Sequence, residues 1–471
     1  MGRATILMLG GALLGCSATT HSDSTTMTTD TGGAGQSNEQ GGAAGAANAG
    51  ADPGGSSSPG GSSNTGGDVS DPPMGDASLP AVDAAPGACN SPQVVDAMEA
   101  QRATCSFKPK SMVADTIGID PSNIRKVVKH VIVLMQENHS FDNMFGHTGH
   151  GMDGVPANYT NPDATGKTVA PHHLATPCPC DPPHQTPDGI AEWDNDKMDG
   201  FLKTGSNVAM GYYEDADHPF YTWLLTTFAT SDRYFHALMG PTWQNRRYLY
   251  QAQIPNAQAS IFDELTAKGV DWMTYYDGGN YLGGSYGVNP FPNNTKPLAD
   301  LDKALADGTL PTVVFINPRN DEPPSNNVSD SEVYVRGVFD HVFKSPTWSS
   351  TVFLFTYDEW GGFFDHVPPP KACAYNNGAV TGPEGDHLGF RVPVFAVSPF
   401  SRPGYVSHSV HSHTSILRFI QLVFDLPAIS YRDANADAML DMFDFACAPF
   451  AKAPTTAPTP TARKCNATCE K

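Results

Sequence analysis

Short apolar runs that end abruptly in polar residues recur through the middle of the chain. They are rich in β-branched and aromatic residues, and each predicts a buried strand; they cover residues 131–135, 312–316, 351–357 and 392–397. Apolar residues at helical spacing lie between and after these runs, over residues 260–268, 331–343 and 414–424. Alternating strands and helices indicate an α/β fold, a three-layer α/β/α sandwich around a mostly parallel central sheet.

The start of the chain has a different pattern. Residues 1–16 combine a positive Arg3, an apolar stretch too short to span a bilayer, and a Leu-Leu-Gly-Cys sequence that ends at Cys16 and resembles a bacterial lipobox. We expect export and lipid anchoring through Cys16 at the bacterial cell envelope, on the outer membrane or the cell surface. The alternative is an ordinary signal peptide, with Cys16 incidental, on a secreted protein.

Composition divides the rest of the chain. Residues 17–88 contain almost no large apolar side chains, which predicts a disordered tether. A cysteine-containing extension over 89–122 precedes the main folded domain, 123–450, and residues 451–471 form a Pro/Thr-rich tail with a cysteine pair. Residues 147–203 are polar with few periodic runs, so we expect an irregular excursion over a functional site.

The balance of charge limits the classes of partner. The chain has 28 basic and 49 acidic residues, a net charge of −21, which argues against nucleic acid or an anionic membrane as a non-specific partner. An anionic substrate would need a locally positive site, which a bound metal could supply.

Eight cysteines remain besides Cys16, and an even number in an exported chain suggests disulfides. Cys178 and Cys180 are too close to pair with each other. The pairs expected from proximity in the sequence are Cys89 with Cys105 and Cys465 with Cys469.

Two predicted strands end in carboxylates. Glu137 and Asn138 follow the first, and Asp358 and Glu359 follow the third, with two glycines after them. Ligands of open α/β sheets bind at such strand ends, and adjacent carboxylates repel unless a cation lies between them. Oxygen ligands favour a hard divalent cation such as Mg²⁺, Ca²⁺ or Mn²⁺. A helix cap and a solvated side chain would explain one Asp-Glu pair but not two clusters.

A third cluster follows a Gly-Pro turn at residues 240–241. Thr242 is either the N-cap of a helix or a nucleophile that a metal or base activates. Arg246 either binds phosphate oxygens through its planar fork or forms a surface ion pair.

Together the clusters resemble one family, the bacterial phosphoesterases that include phospholipases C of the non-zinc type and a periplasmic acid phosphatase. The resemblance spans roughly residues 129–424. Its motifs are Glu-Asn-x-Ser-Phe-Asp at 137–142, Gly-Pro-Thr-x-x-Asn-Arg at 240–246, Asp-Glu-x-Gly-Gly-Phe-x-Asp-His-Val at 358–367 and His-Thr-Ser at 413–415. The resemblance implies a fold similar to that of alkaline phosphatases.

The resemblance also implies a role for each matched residue. Thr242 would be the nucleophile and become transiently phosphorylated. One or more divalent metal ions, Mg, Ca, Mn or Zn, would bind to Glu137, Asn138, Asp358 and Glu359, and the substrate would bind to Asn245 and Arg246.

Two histidines match family positions. His184, in an Asp-x-x-His segment, and His413 would be proton donors or phosphate contacts, with a structural role as the alternative for each. Some positions depart from the family pattern. Gln244 replaces a Pro in the Thr242 motif, Ser412 replaces an Asp that would orient His413, and Trp360 stands where His is common. Residues 321–324 lack a family His, and this departure bears on the substrate class and the leaving-group acid.

The expected function is that of an extracytoplasmic, metal-dependent phosphoesterase of the phospholipase C type, with a phosphate ester, and possible phospholipid, as substrate. The alternatives are an acid phosphatase and a non-catalytic surface lipoprotein that retains the fold. A sulfatase would need a Cys/Ser-x-Pro-x-Arg motif, which does not occur. Recognition of choline would need an aromatic cage; the candidates, for which core packing is the alternative, are Trp193, Tyr212, Tyr213, Trp223 and Trp243.

Overall fold

The computed structural model describes residues 89, 91–94, 96–254, 259–276, 281–286, 289–318, 326–378, 382–383 and 385–465. These residues belong to one compact unit, Asp76–Lys471. The expected signal peptide with Cys16, the tether at 17–88, the segment 321–324 and Cys469 lie outside the described residues. Within the described ranges, the helices all lack the length and apolarity needed to cross a membrane.

A mixed sheet forms the centre of the molecule. Within the described chain its strands are β1 His130–Gln136, β2 Ala229–Ser231, β3 Trp272–Tyr276, β4 Thr295–Pro297, β5 Val313–Asn317, β6 Thr351–Tyr357, β7 Val394–Val397 and β8 Val406–Ser407. They lie in the order β8-β2-β7-β6-β1-β5-β3-β4. Strand β7 is antiparallel to both of its neighbours, and the other adjacent pairs are parallel. The predicted mostly parallel sheet is confirmed.

Helices follow most of these strands. Those used below are α1 Phe141–Phe145, α2 Thr186–Trp193, α3 Pro219–Thr227, α4 Thr242–Gln251, α5 Ile261–Lys268, α6 Leu298–Asp307, α7 Val328–Lys344 and α8 His413–Phe424. Shorter helices are Glu99–Ala103, Val113–Ile117, Ser122–Val127, Phe201–Thr204, Tyr281–Tyr286 and Tyr431–Ala434. The three helical patterns predicted from sequence correspond to α5, α7 and α8.

Both faces of the sheet are covered by helices. Register through β1 places Phe315 of β5 and Leu354 of β6 on one face, where Phe315 packs against Phe262 of α5 with ring centroids 5.2 Å apart. Because side chains alternate along a strand, Phe353 faces the other way, and its ring lies 4.4 Å from that of Phe339 in α7. The predicted three-layer α/β/α sandwich is therefore confirmed.

The disulfides join segments that are far apart in sequence. The N-terminal extension packs onto the main domain, since Val113 and Ile117 are buried in its core, and this brings its cysteines to distant partners. The expected local pairs Cys89–Cys105 and Cys465–Cys469 are wrong. Bridges between described residues are Cys89–Cys447, Cys105–Cys373 and Cys178–Cys465.

Candidate active site

The carboxyl ends of β1 and β6 meet at one edge of the sheet. The two strands are parallel and in register to their last residues, so the polar pairs that follow them lie side by side. The backbone N–H of Asn138 donates to Asp358 Oδ1 at 3.2 Å, and the N–H of His139 donates to the Glu359 carbonyl at 3.1 Å. The structure thus brings together Glu137, Asn138, Asp358 and Glu359.

Thr242 faces this cluster from the start of α4. Pro241 occupies the N-cap position and Thr242 is the first helical residue, so its hydroxyl is not a cap. The Thr242 Oγ1 hydroxyl lies 3.1 Å from Glu137 Oε1 and 3.4 Å from Glu359 Oε1. One hydroxyl is therefore within hydrogen-bond distance of carboxylates from both strand ends.

Asn245 and Arg246 have positions different from those expected of substrate ligands. Both are fully buried. Asn245 closes the turn before α4, because its Nδ2 donates to the Gly240 carbonyl at 2.6 Å. Arg246 Nε donates to Asp358 Oδ2 at 3.0 Å, and its other nitrogens donate to carbonyls of β1. These contacts hold α4 and Asp358 in place, and neither side chain is open to a substrate.

His184 reaches the cluster from the long polar segment, as predicted. Its Nδ1–H donates to the Pro182 carbonyl at 2.8 Å, which leaves Nε2 toward the site, 3.3 Å from Asn138 Nδ2 and 3.7 Å from Glu359 Oε1. Burial lowers the pKa of His184, but the Glu359 carboxylate, Asp181 and the Pro182 carbonyl together outweigh it, and the pKa rises to about 10. The negative charge of the cluster thus attracts a proton to this ring.

His413 is buried behind the cluster. Its Nε2–H donates to the Asp358 carbonyl at 2.7 Å, and its Nδ1 lies 3.0 Å from the Tyr234 hydroxyl. Burial lowers the pKa of His413 to about 4, so the ring is neutral. The Tyr234 hydroxyl therefore orients the His413 ring, in place of the Asp that the family pattern has at position 412. His413 in turn supports the backbone of Asp358. Sequence reasoning missed Tyr234, although it lies in the same motif region as Thr242.

The charge of the cluster fits a bound cation. Burial raises the pKa of Asp358 to about 7 and that of Glu359 well above its usual value, and neighbouring carboxylates add to both shifts. Within the described residues, the buried Asn138 Oδ1 has no hydrogen-bond partner. Carboxylates this close repel one another unless a cation lies between them, and the unpartnered amide oxygen offers that cation a further ligand.

Gly361 lets the loop after β6 pass close to Asn138. Its φ is +64°, and a Cβ atom there would clash with the Asn138 carbonyl oxygen. Its N–H donates to Glu359 Oε2 at 2.7 Å. The glycine predicted to allow close backbone approach therefore also orients one of the candidate ligands.

A buried ion network ties the loops after β1 and β6 together. Arg391 donates to Asp365 Oδ1 at 2.9 Å and to Asp142 Oδ1 at 2.7 Å, and His366 Nδ1 lies 2.6 Å from Asp142 Oδ2. Ser140 caps α1 and donates to the Phe364 carbonyl at 2.6 Å. These contacts brace the turns that position the candidate ligands.

Three of the five aromatic candidates for a choline cage are buried, Tyr212 is half-buried, and Trp243 is exposed. Tyr213 and Trp223 are core residues, and Trp193 is also buried. Trp243 is 43% exposed and directly follows Thr242 on α4. Trp360 is fully buried and donates from Nε1 to Glu192 Oε2 at 2.7 Å.

The fold and the site together define an α/β enzyme whose polar groups lie at the carboxyl edge of a parallel sheet. Residues 128–427 match the model of the Phosphoesterase family, and the chain belongs to this family. It is a hydrolase of phosphoric esters.

Curated relatives share this region. Non-specific phospholipase C6 of Arabidopsis thaliana is 29% identical over 70% of this chain and 75% of its own length. Phospholipase C B of Mycobacterium tuberculosis is 28% identical over 68% of this chain and 78% of its own length. Among solved structures, a protein in the alkaline phosphatase superfamily from Vibrio parahaemolyticus is 9% identical, with a TM-score of 0.38 over 68% of this chain and 78% of that chain.

Proposed function

We propose that this protein hydrolyses phosphate esters in the manner of a phospholipase C, through a phospho-threonine intermediate at Thr242. The observation that carries the proposal is the position of Thr242 Oγ1, within hydrogen-bond distance of Glu137 and Glu359 at the start of α4. The names of the relatives support a phospholipid as the substrate.

A divalent cation, Mg, Ca, Mn or Zn, fits among Glu137, Asn138, Asp358 and Glu359. When bound, it would lower the pKa of the Thr242 hydroxyl and stabilise charge on the phosphoryl group. Arg246 keeps Asp358 in place and offsets one of the carboxylate charges.

The residues support a two-step transfer. In the first step Thr242 Oγ1 attacks phosphorus, its proton passes to Glu137 Oε1, and the bond to the leaving alcohol breaks as that alcohol takes a proton from His184 Nε2. In the second step water attacks the phosphothreonine and gives a proton to His184, and Glu137 returns its proton to Thr242. The products from a phospholipid are diacylglycerol and a phosphomonoester.

The test compares wild type with Thr242→Ala on phosphatidylcholine, a soluble phosphodiester and a soluble phosphomonoester, with and without chelator. We expect Thr242→Ala to lose roughly a thousandfold or more in kcat, and chelator to abolish wild-type activity. Thr226→Ala is the matched control, since Thr226 bonds only within α3 and lies outside the site. Acid quench of wild type during turnover should trap phosphate on Thr242.

Equal activity of wild type and Thr242→Ala would overturn the nucleophile assignment. Hydrolysis of the monoester alone would identify an acid phosphatase. No hydrolysis of any substrate with any of the four metals would favour a non-catalytic lipoprotein.

We also propose that the enzyme acts outside the cytoplasm, anchored through a lipid on Cys16. The charged and apolar leader and the polar stretch at 17–88 support this location. The full chain should fractionate with the cell envelope and incorporate labelled fatty acid, and Cys16→Ser should do neither. Labelling of Cys16→Ser at the wild-type level would contradict the anchor.

A further inference from the structure

A second cluster of acidic residues and a histidine lies away from the active site, on the wall of a cavity of about 690 Å³. It comprises His411, from the short strand His411–Ser412, and Asp437 and Asp441, from the C-terminal segment. Each residue has a potential ligand atom, a ring nitrogen or a carboxylate oxygen, and these three atoms lie within 4.8 Å of one another. His411 is fully buried, and the two aspartates are partly exposed.

Hydrogen bonds determine which nitrogen of His411 has a free lone pair. The single hydroxyl proton of Ser407 is donated to Asp441 Oδ2. The contact of 2.9 Å between Ser407 Oγ and His411 Nε2 therefore requires Nε2–H to be the donor. Neutral His411 thus has its lone pair on Nδ1. Metal-binding histidines show this arrangement, since their second nitrogen donates to a fixed acceptor.

The environment of Nδ1 fits a ligand atom better than a hydrogen-bond donor. His411 Nδ1 lies 2.9 Å from Asp437 Oδ1, but among the described residues it has no partner in hydrogen-bond geometry. Two ligand atoms that each lie about 2.1 Å from one ion are about 3 Å apart when they subtend a right angle. The 2.9 Å separation therefore fits two ligands of one cation, and the poor alignment argues against a strong hydrogen bond between the two atoms. The Met439 N–H donates to Asp437 Oδ1 at 2.6 Å and keeps this carboxylate in position.

The local charge also calls for a cation. The guanidinium of Arg102 pairs with Asp96 and lies 3.6 Å from Asp437 Oδ2, whereas the Asp441 carboxylate forms no ion pair with Lys or Arg among the described residues. The two carboxylates beside His411 thus share one partly engaged guanidinium, and a divalent cation would balance their charge.

We propose that His411, Asp437 and Asp441 bind a divalent cation of the first transition row, such as Mn²⁺ or Zn²⁺. One imidazole nitrogen and two carboxylates suit these ions, and the cavity gives them access from solvent. The other compact acid–histidine set in the described residues, the network around Arg391, already contains its own cation and needs no metal. The bound ion would hold the segment that leads directly into His413 and thus to the backbone of Asp358.

The experiment measures Mn²⁺ bound to the full chain by equilibrium dialysis and elemental analysis. We expect Asp441→Asn and Asp437→Asn each to bind one equivalent less than wild type. Asp386→Asn is the matched control, since Asp386 lines the same cavity but pairs with His387 at 2.6 Å instead of His411. Glu359→Gln measures binding of the proposed catalytic ion separately. If the proposed function is wrong, the comparison of Mn²⁺ binding by the Asp437 and Asp441 variants still holds.

Equal Mn²⁺ binding by wild type and folded Asp441→Asn would overturn the proposal. A second measurement needs no variant: crystals of the wild-type chain soaked in Mn²⁺ should show an anomalous peak within bonding distance of His411 Nδ1. Absence of that peak would show that His411 is simply a protonated ring between two aspartates, and would overturn the proposal even if the variants failed to fold.

Discussion

Glu192 is a buried carboxyl that forms no ion pair among the residues described. Its Oε2 accepts a hydrogen bond from Trp360 Nε1, and its Oε1 lies 2.8 Å from the Thr204 hydroxyl. Burial raises the pKa of Glu192 to about 8, so the side chain is protonated at neutral pH. It holds Trp360, the residue that follows Glu359, and sequence patterns offered no signal for this role because Glu192 lies in an ordinary helix remote from the motifs.

This raised pKa predicts how stability depends on pH. The unfolded carboxyl titrates near its usual value of 4.5, so between about pH 4.5 and 8 the folded state binds more protons than the unfolded state. Glu192 therefore stabilises the fold fully below pH 4.5, and this contribution is lost as pH rises toward 8, by at most about 1.4 kcal/mol per pH unit. Glu192→Gln, which mimics the protonated form, should remove this decline.

Urea unfolding of wild type and Glu192→Gln at pH 5, 6, 7 and 8 measures the difference. Glu99→Gln, an exposed helical position, is the control and should follow wild type. A constant difference between wild type and Glu192→Gln over this pH range would show that Glu192 is ionised in the folded protein.

At the scale of elements, a substitution in the loop after β6 tests whether the backbone of that loop positions the site. Gly361→Ala must adopt a left-handed φ and also meets the Asn138 carbonyl. We expect a loss of about 2–4 kcal/mol in the free energy of unfolding, the sum of left-handed strain and a backbone clash. Because the clash displaces Asn138, kcat should fall at least about tenfold.

Gly269→Ala separates the two causes. Gly269 ends α5 with φ +74°, but a Cβ there meets nothing within 4 Å. Gly269→Ala should lose only about 1 kcal/mol in the free energy of unfolding, from left-handed strain alone, and should keep wild-type activity. Equal effects of the two substitutions on kcat would show that contact between Gly361 and Asn138 does not position the site.

The elements also show what the sequence could and could not predict. Long apolar runs identified β1, β5, β6 and β7, because central strands are buried on both faces. The strands missed, β2, β3, β4 and β8, are short or lie toward the sheet edges and lack a continuous apolar run. The polar residues that follow two apolar runs predicted the ligand cluster, because a single sequence is enough to show where a buried strand ends in carboxylates. The burial of Asn245, Arg246 and His413 was not predicted, because it depends on how α4 and α8 pack against β1 and β6.

At the scale of the whole molecule, the tail is tied to the segment that carries His184. The Cys178–Cys465 bridge closes 287 residues, and Cys178 lies shortly before His184. The tail has further contacts: Arg463 pairs with Asp217 at 2.7 Å, and Asn327 Nδ2 donates to the Arg463 carbonyl at 2.6 Å. The tail is therefore part of the folded unit, and the bridge fixes both the tail and one side of the active site.

The double variant Cys178→Ser/Cys465→Ser tests this connection. Loss of a bridge over a loop this long should cost about 2–5 kcal/mol, toward the lower end because the contacts of Arg463 remain. Differential scanning calorimetry should show a lower Tm for the variant, and reductant should lower the Tm of wild type by more than that of the variant. A non-reducing digest of wild type should contain a peptide that joins Cys178 to Cys465. A peptide pair that joins Cys465 to Cys469 instead, with an unchanged Tm in the double variant, would mean that the tail closes on itself. The position of His184 would then depend on its contacts with Asp181, the Pro182 carbonyl and Asn138.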